Sequence, residues 1–149
     1  MSKITAKAQT LIHASPESVY EAFVDAAMMR KFWFTRKDQA LVEGETVHWY
    51  VGQAEDAYAI EVRVKELVKP EKIVIEWGDG RAFTQVQWRI EPANDEITKL
   101  FIEETGFTGS KNEIITKALD STGGFNQVII ALKALLEHDA TVNVVDSHV

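Results

Sequence analysis

The sequence predicts an α+β fold in the order β-α-α-β6-α, a curved antiparallel sheet wrapped around a long C-terminal helix. Three observations carry this. From Ser110 to His138, the apolar residues Ile114/Ile115, Ala118/Leu119, Phe125, Val128/Ile129, Leu132 and Leu135/Leu136 recur at three- and four-residue steps, one stripe down a helix. Between residues 39 and 107, six strand-like stretches are joined by turns too short for parallel crossovers, so neighbours must run antiparallel. Alternation within those stretches gathers apolar residues on one face, as in a sheet covered on one side only.

Taken in order, residues 3–13 form a first strand with Ala6, Ala8, Thr10 and Ile12 on one face. Ser15-Pro16-Glu17 then starts a helix. Ser15 caps it, Pro16 suits the first position because no N–H is needed there, and Glu17 favours the positive end. Val19, Tyr20, Phe23 and Val24 make its apolar stripe. Asp25 caps a second short helix over 26–33, which carries Met28, Met29, Phe32 and Trp33. The strands follow at 39–43, 46–51, 56–69, 72–78, 82–92 and 96–107. Turns separate them at Gly44, at 52–55, at Lys69-Pro70-Glu71, at Gly78-Asp79-Gly80 and at 92–95. The inward sets are Tyr58, Ile60, Val62 and Val64; Ile73, Ile75 and Trp77; Thr84, Val86, Trp88 and Ile90; and Leu100 and Ile102.

The long helix opens on Ser110 and Glu113, whose spacing fits a capping box. At 1.5 Å per residue its roughly 29 residues span about 43 Å, and so long an apolar stripe requires a broad apolar partner. Gly123 and Gly124 stand in its middle, where each costs about 1 kcal/mol relative to Ala. Two readings are open. Either the pair breaks the helix in two, with Ser121 or Thr122 capping the second part, or it allows close approach to a strand or ligand. Residues 140–149 form a tail that either frays or docks through Val142, Val144 and Val145.

Length and composition bound the function. A chain of 149 residues is expected to form a single domain over 1–149. Sixteen Lys and Arg against 23 Asp and Glu leave a net charge of −7, which disfavours nucleic acid as the partner. No apolar run is long enough for a membrane span, and the N-terminal stretch lacks the apolar core of a secretory signal. Cysteine is absent, so disulfides, thiolate metal sites and thiol nucleophiles are excluded, and a cytoplasmic location is expected.

Glu104 is the most informative polar residue. With strict alternation it shares the inward face with Leu100 and Ile102, where a carboxylate is costly unless it gains partners. It would then bind a ligand's polar end or act as acid or base. A bulge or a rim position would instead leave it wet, beside solvated Glu103. The aromatic residues Phe32, Trp33, Trp49, Tyr58, Trp77, Trp88 and Phe125 include several inward positions, most of them core and some lining whatever cavity exists. His13, His48, His138 and His148 are scattered without metal-ligand spacing, and His48 faces away from Val47 and Trp49. No nucleophile elbow, phosphate-cradling loop or calcium loop occurs, so no cofactor is implied and no catalytic constellation is present.

Several short stretches resemble a known family: Ile12-His-Ala-Ser-Pro-Glu17 running into Val19-Tyr20-Glu-Ala-Phe23, then Lys31-Phe32-Trp33, Glu104-Thr105-Gly106-Phe107, and Gly124-Phe125 leading into Leu132-Lys-Ala-Leu-Leu136-Glu137. In this order they resemble the START-like (Bet v-like, SRPBCC) superfamily with its helix-grip fold. Within it, the chain is most similar to the activator of heat-shock protein 90 ATPase homologue family. The resemblance implies a deep apolar cavity between sheet and helix. Its expected lining is Trp33, Trp49, Tyr58, Trp77, Val86, Trp88, Ile102, Glu104, Phe125 and Ile129. The principal expectation is non-catalytic binding of a small hydrophobic or amphipathic ligand, such as a lipid, there. The alternative, from the founding members that dock on a chaperone and stimulate its ATPase, is a chaperone-associated stress-response protein. A second alternative is an enzyme using Glu104 as acid or base. Monomer and homodimer both stay open.

Overall fold

The computed structural model describes residues 4–33, 36–37, 39–51 and 58–142. The elements are β1 (Ala6–Ile12), α1 (Pro16–Val24), α2 (Ala26–Met29), β2 (Arg36–Lys37), β3 (Thr46–Val51), β4 (Tyr58–Val68), β5 (Lys72–Gly78), β6 (Phe83–Pro92), β7 (Thr98–Thr105) and α3 (Lys111–His138). All seven strands join one antiparallel sheet in the order β1-β7-β6-β5-β4-β3-β2. The chain thus closes by laying its last strand beside its first, and α3 packs against β1 and β7. This is the α+β architecture, an antiparallel sheet packed on a long C-terminal helix, that the alternation and the long stripe predict, and it matches the helix-grip fold that the resemblance implies.

The helix starts follow the local chemistry. Ser15 Oγ accepts from the Ser18 amide at 3.2 Å, and Asp25 Oδ1 accepts from the Met28 amide at 3.1 Å. Helix α2 is shorter than the 26–33 expectation and ends in turns that still bury Phe32 and Trp33. At the start of α3 the Glu113 amide donates to Ser110 Oγ while Glu113 Oε1 accepts from the Ser110 amide, both at 3.2 Å.

Three expectations are corrected. No strand forms at 39–43; the short edge strand is β2, paired with Tyr50 and Trp49. The chain at 39–45 is instead pinned to other elements. The Leu41 amide donates to the Val24 carbonyl, Gly44 N–H to the Val64 carbonyl, and Glu43 Oε1 accepts from the Leu67 amide. Secondly, α3 is unbroken through Gly123 and Gly124, and a Cβ at either would meet nothing within 4 Å. The pair therefore marks neither a break between helices nor a close approach to a strand among the described residues. Thirdly, the stripe on α3 is only half covered. Phe125, Val128, Ile129, Ala131, Leu132 and Leu135 are buried, but of the first three turns only Ala118 is, and Leu119 is 67% exposed.

Strict alternation also fails once along β4. A register shift between Val64 and Glu66 against β5 moves Leu67 to the core side and leaves Val68 exposed. The expected turn at 52–55 and strand residues 56–57 lie outside the described residues, as do Val144, Val145 and His148 of the tail. Val142 packs partly against the core.

The space between sheet and helix is filled by aromatic rings. Trp33 meets Phe23, Trp49, Trp77, Trp88 and Phe125 at centroid distances of 6.1, 5.5, 5.9, 6.1 and 6.3 Å. Trp77 and Phe125 stack at 5.9 Å with their planes 7° apart. Offset and edge contacts of this kind add about 0.5–1.5 kcal/mol per pair beyond the area they bury. At the far end, Lys133 Nζ donates to the Leu11 carbonyl at 2.6 Å and to Glu137 Oε2 at 2.7 Å. Glu137 Oε2 also accepts from the His13 amide at 3.0 Å, so α3 is latched to the end of β1.

Candidate functional site

Where the core ends, an open cleft of about 430 Å³ remains between the β5–β6 hairpin, the segment after β7 and the first turns of α3. Three adjacent strands build its polar wall. Trp77 on β5 lies directly opposite Thr84 on β6, and Glu104 on β7 lies opposite Val86, two residues further along β6. All three side chains share the inward face. Glu104 is 3% exposed; its Oε2 accepts from Trp77 Nε1 at 2.8 Å and from the Thr84 hydroxyl. Its Oε1 is buried and has no hydrogen-bond partner among the described residues. A buried polar atom left so is costly, on the order of 1–3 kcal/mol and more for a charged group.

The remaining wall is apolar on the sheet side, with Ile60 and Phe107, and polar on the helix side, with Lys117, Asp120 and Ser121. Asp79 stands at the hairpin. The Arg81 amide hydrogen-bonded to its carboxylate holds Asp79 below the usual carboxylate range, so it is anionic at neutral pH. The hairpin itself depends on Gly78, since a Cβ there would collide with the Ala82 carbonyl oxygen. Lys117 Nζ donates to the Thr108 carbonyl at 2.8 Å, which ties the helix to the segment after β7.

Of the residues expected to line a cavity, the structure brings Trp77 and Glu104 to this cleft. It places Trp33, Trp49, Val86, Trp88, Ile102, Phe125 and Ile129 in the closed core beneath it. Tyr58 pairs through its backbone with Val51, and its side chain lies outside the description. The bulge or rim that would leave Glu104 wet does not occur; β7 keeps its register against both neighbours. Thr84 and Ile60 have inward positions on their strands, but nothing in their own sequence marks them as cleft residues. Asp79, Lys117 and Asp120 give no local signal, because only the fold brings a hairpin turn and a helix flank together. Among the described residues no group of three or more histidine, aspartate or glutamate side chains could hold a metal ion. No helix among them is long and apolar enough to cross a membrane.

Solved structures share this architecture. A protein from Staphylococcus saprophyticus matches with a TM-score of 0.75 at 21% identity, covering 93% of this chain and 96% of its own. A protein described as the Aha1 dimer from Colwellia psychrerythraea matches at 0.75 and 16% identity, covering 91% and 97%. An HSP90 activator from Plasmodium falciparum matches at 0.68 and 16% identity, covering 90% and 96%. At such identities the likeness shows the fold alone. A search of curated proteins gave no match. The family model described as Activator of Hsp90 ATPase homolog 1-like protein matches residues 13–137, from the latch at His13 through the cleft to Glu137. Matched over most of its length, the chain belongs to the Activator of Hsp90 ATPase homolog 1-like protein family.

Proposed function

We propose that the protein is a non-catalytic, chaperone-associated factor that binds an Hsp90-type ATPase and raises its turnover, working in the cytoplasm. The observation that carries this reading is the family match across residues 13–137. The surface supports a protein partner as well. Ile115, Leu119 and Ile130 are exposed, and their spacing sets them on one face of α3 with Gly123 and Asn126 between them. Exposed apolar groups gathered in one row mark interaction surfaces more often than scattered ones do. The test is the ATPase rate of the Hsp90-type chaperone from the same organism, titrated with this protein. A saturable rise, weakened by Leu119→Asp, is expected. An unchanged rate together with no complex in sedimentation velocity would sink the reading.

A second reading is favoured by one specific observation: Glu104 lines the cleft of about 430 Å³, and its buried Oε1 has no hydrogen-bond partner among the described residues. On this reading the cleft holds a small amphipathic molecule whose polar end meets Glu104 and whose apolar part lies on Trp77, Ile60 and Phe107. Native mass spectrometry of freshly purified protein tests it. A reproducible excess mass released on denaturation is expected, and the same spectrum reports monomer or dimer.

A further inference from the structure

We propose that the cleft selects an organic cation, a primary ammonium group carried on an apolar body, with the ammonium pairing with the Glu104 carboxyl group. This rests on the reading of the cleft as a ligand site and adds the chemical class of what enters.

Three features of the wall lead there. First, Glu104 has an oxygen with capacity to accept and no protein donor among the described residues, while its other oxygen is taken by Trp77 and Thr84. The occupied oxygen leaves the carboxylate fixed by its neighbours, so the site is shaped before a ligand arrives. Secondly, Glu104 takes part in no ion pair among the described residues, and both of its donors are neutral. A ligand ammonium would give it the charged partner that buried carboxylates ordinarily have, whereas a neutral donor would satisfy the lone pairs alone. Thirdly, the charged groups lining the rest of the cleft are net acidic among the described residues. Among the described residues, Asp79 and Asp120 line it with Glu104, against the one ammonium of Lys117. Low-dielectric walls strengthen the resulting preference for a cation. The apolar body would rest on Ile60, Trp77 and Phe107, and an aromatic one would suit the indole and phenyl rings there.

The test compares three probes that share one indole body: tryptamine, neutral 3-ethylindole and anionic indole-3-propionate. Affinities are measured by isothermal titration calorimetry on the wild-type chain and on Glu104→Gln. Tryptamine should bind about tenfold or more tightly than 3-ethylindole, the factor expected for a hydrogen bond to a charged group. That advantage should vanish in Glu104→Gln, while 3-ethylindole binds both proteins alike, which also shows that the variant keeps its cleft. Equal binding of tryptamine and 3-ethylindole to the wild type overturns the cation proposal but leaves the cleft reading standing. So does an indole-3-propionate affinity above that of tryptamine. A tryptamine advantage that survives in Glu104→Gln overturns the role of Glu104. Failure of all three probes to bind at their solubility limits overturns the proposal and the cleft reading together.

Discussion

The two halves of α3 carry the same apolar periodicity and meet different fates. From Phe125 to Leu135 the stripe is buried against the aromatic core and β1, and Lys133 and Glu137 latch it to the strand. From Ile114 to Thr122 the stripe finds only the rim of the cleft, and just Ala118 is buried. Periodicity therefore reports which residues share a face. It does not report whether anything lies opposite. The packed half closes the fold and the half that stands off leaves an open cleft, while the exposed row of Ile115, Leu119 and Ile130 runs along the outer face of both.

The sharpest way to break this contrast is to remove the same side chain from each half. Leu132 is fully buried, so Leu132→Ala should cost about 2–5 kcal/mol in urea unfolding. Leu119→Ala should change stability by no more than about 0.5 kcal/mol. Comparable losses would mean that the first half is packed after all.

The latch gives a second contrast, read through pH. Burial pushes the Glu137 carboxyl up, but hydrogen bonds from Lys133 and the His13 amide, with the charge of Lys133, outweigh it and hold the group below the usual range. A carboxyl depressed in the folded state stabilises fully above its unfolded value, near 4.5, and loses that contribution as pH falls through the folded value. The melting temperature of Glu137→Gln should therefore lie below wild type at neutral pH and converge on it as pH drops below 4.5. A gap that stays constant with pH would remove the charge from the explanation.

The smallest effect belongs to the junction between the halves. Gly123→Ala and Gly124→Ala should each raise stability by about 0.5–1 kcal/mol, because the helix is continuous and the added methyl meets open space. A loss at either would show that something else needs that space.

Much of the frame is legible in the sequence because it is local. The strands expected at 46–51 and 72–78 have those bounds in the structure, and the capping box at Ser110 is formed as its spacing predicts. What the sequence does not show is set by distant contacts. The glycine pair reads as a break until the continuous hydrogen bonds of a helix packed along its second half override two weak propensities. Residues 39–43 read as a strand until the Val24 carbonyl takes the Leu41 amide and the Glu43 side chain takes the Leu67 amide. Glu104 is legible as an inward carboxylate, but its partners Trp77 and Thr84 come from strands 27 and 20 residues earlier. The expected cavity lining is largely core because four tryptophans and their phenylalanine neighbours fill the space that periodicity only bounds.

The latch between α3 and β1 also governs how the sheet ends. β1 is an edge strand, and an unpaired edge is a template on which a second chain can add a strand. Here the Leu11 carbonyl is held by Lys133 and the His13 amide by Glu137, so those edge groups are occupied by side chains from the molecule's own helix. The end of this edge is thereby engaged by the molecule's own helix instead of being open to a second chain.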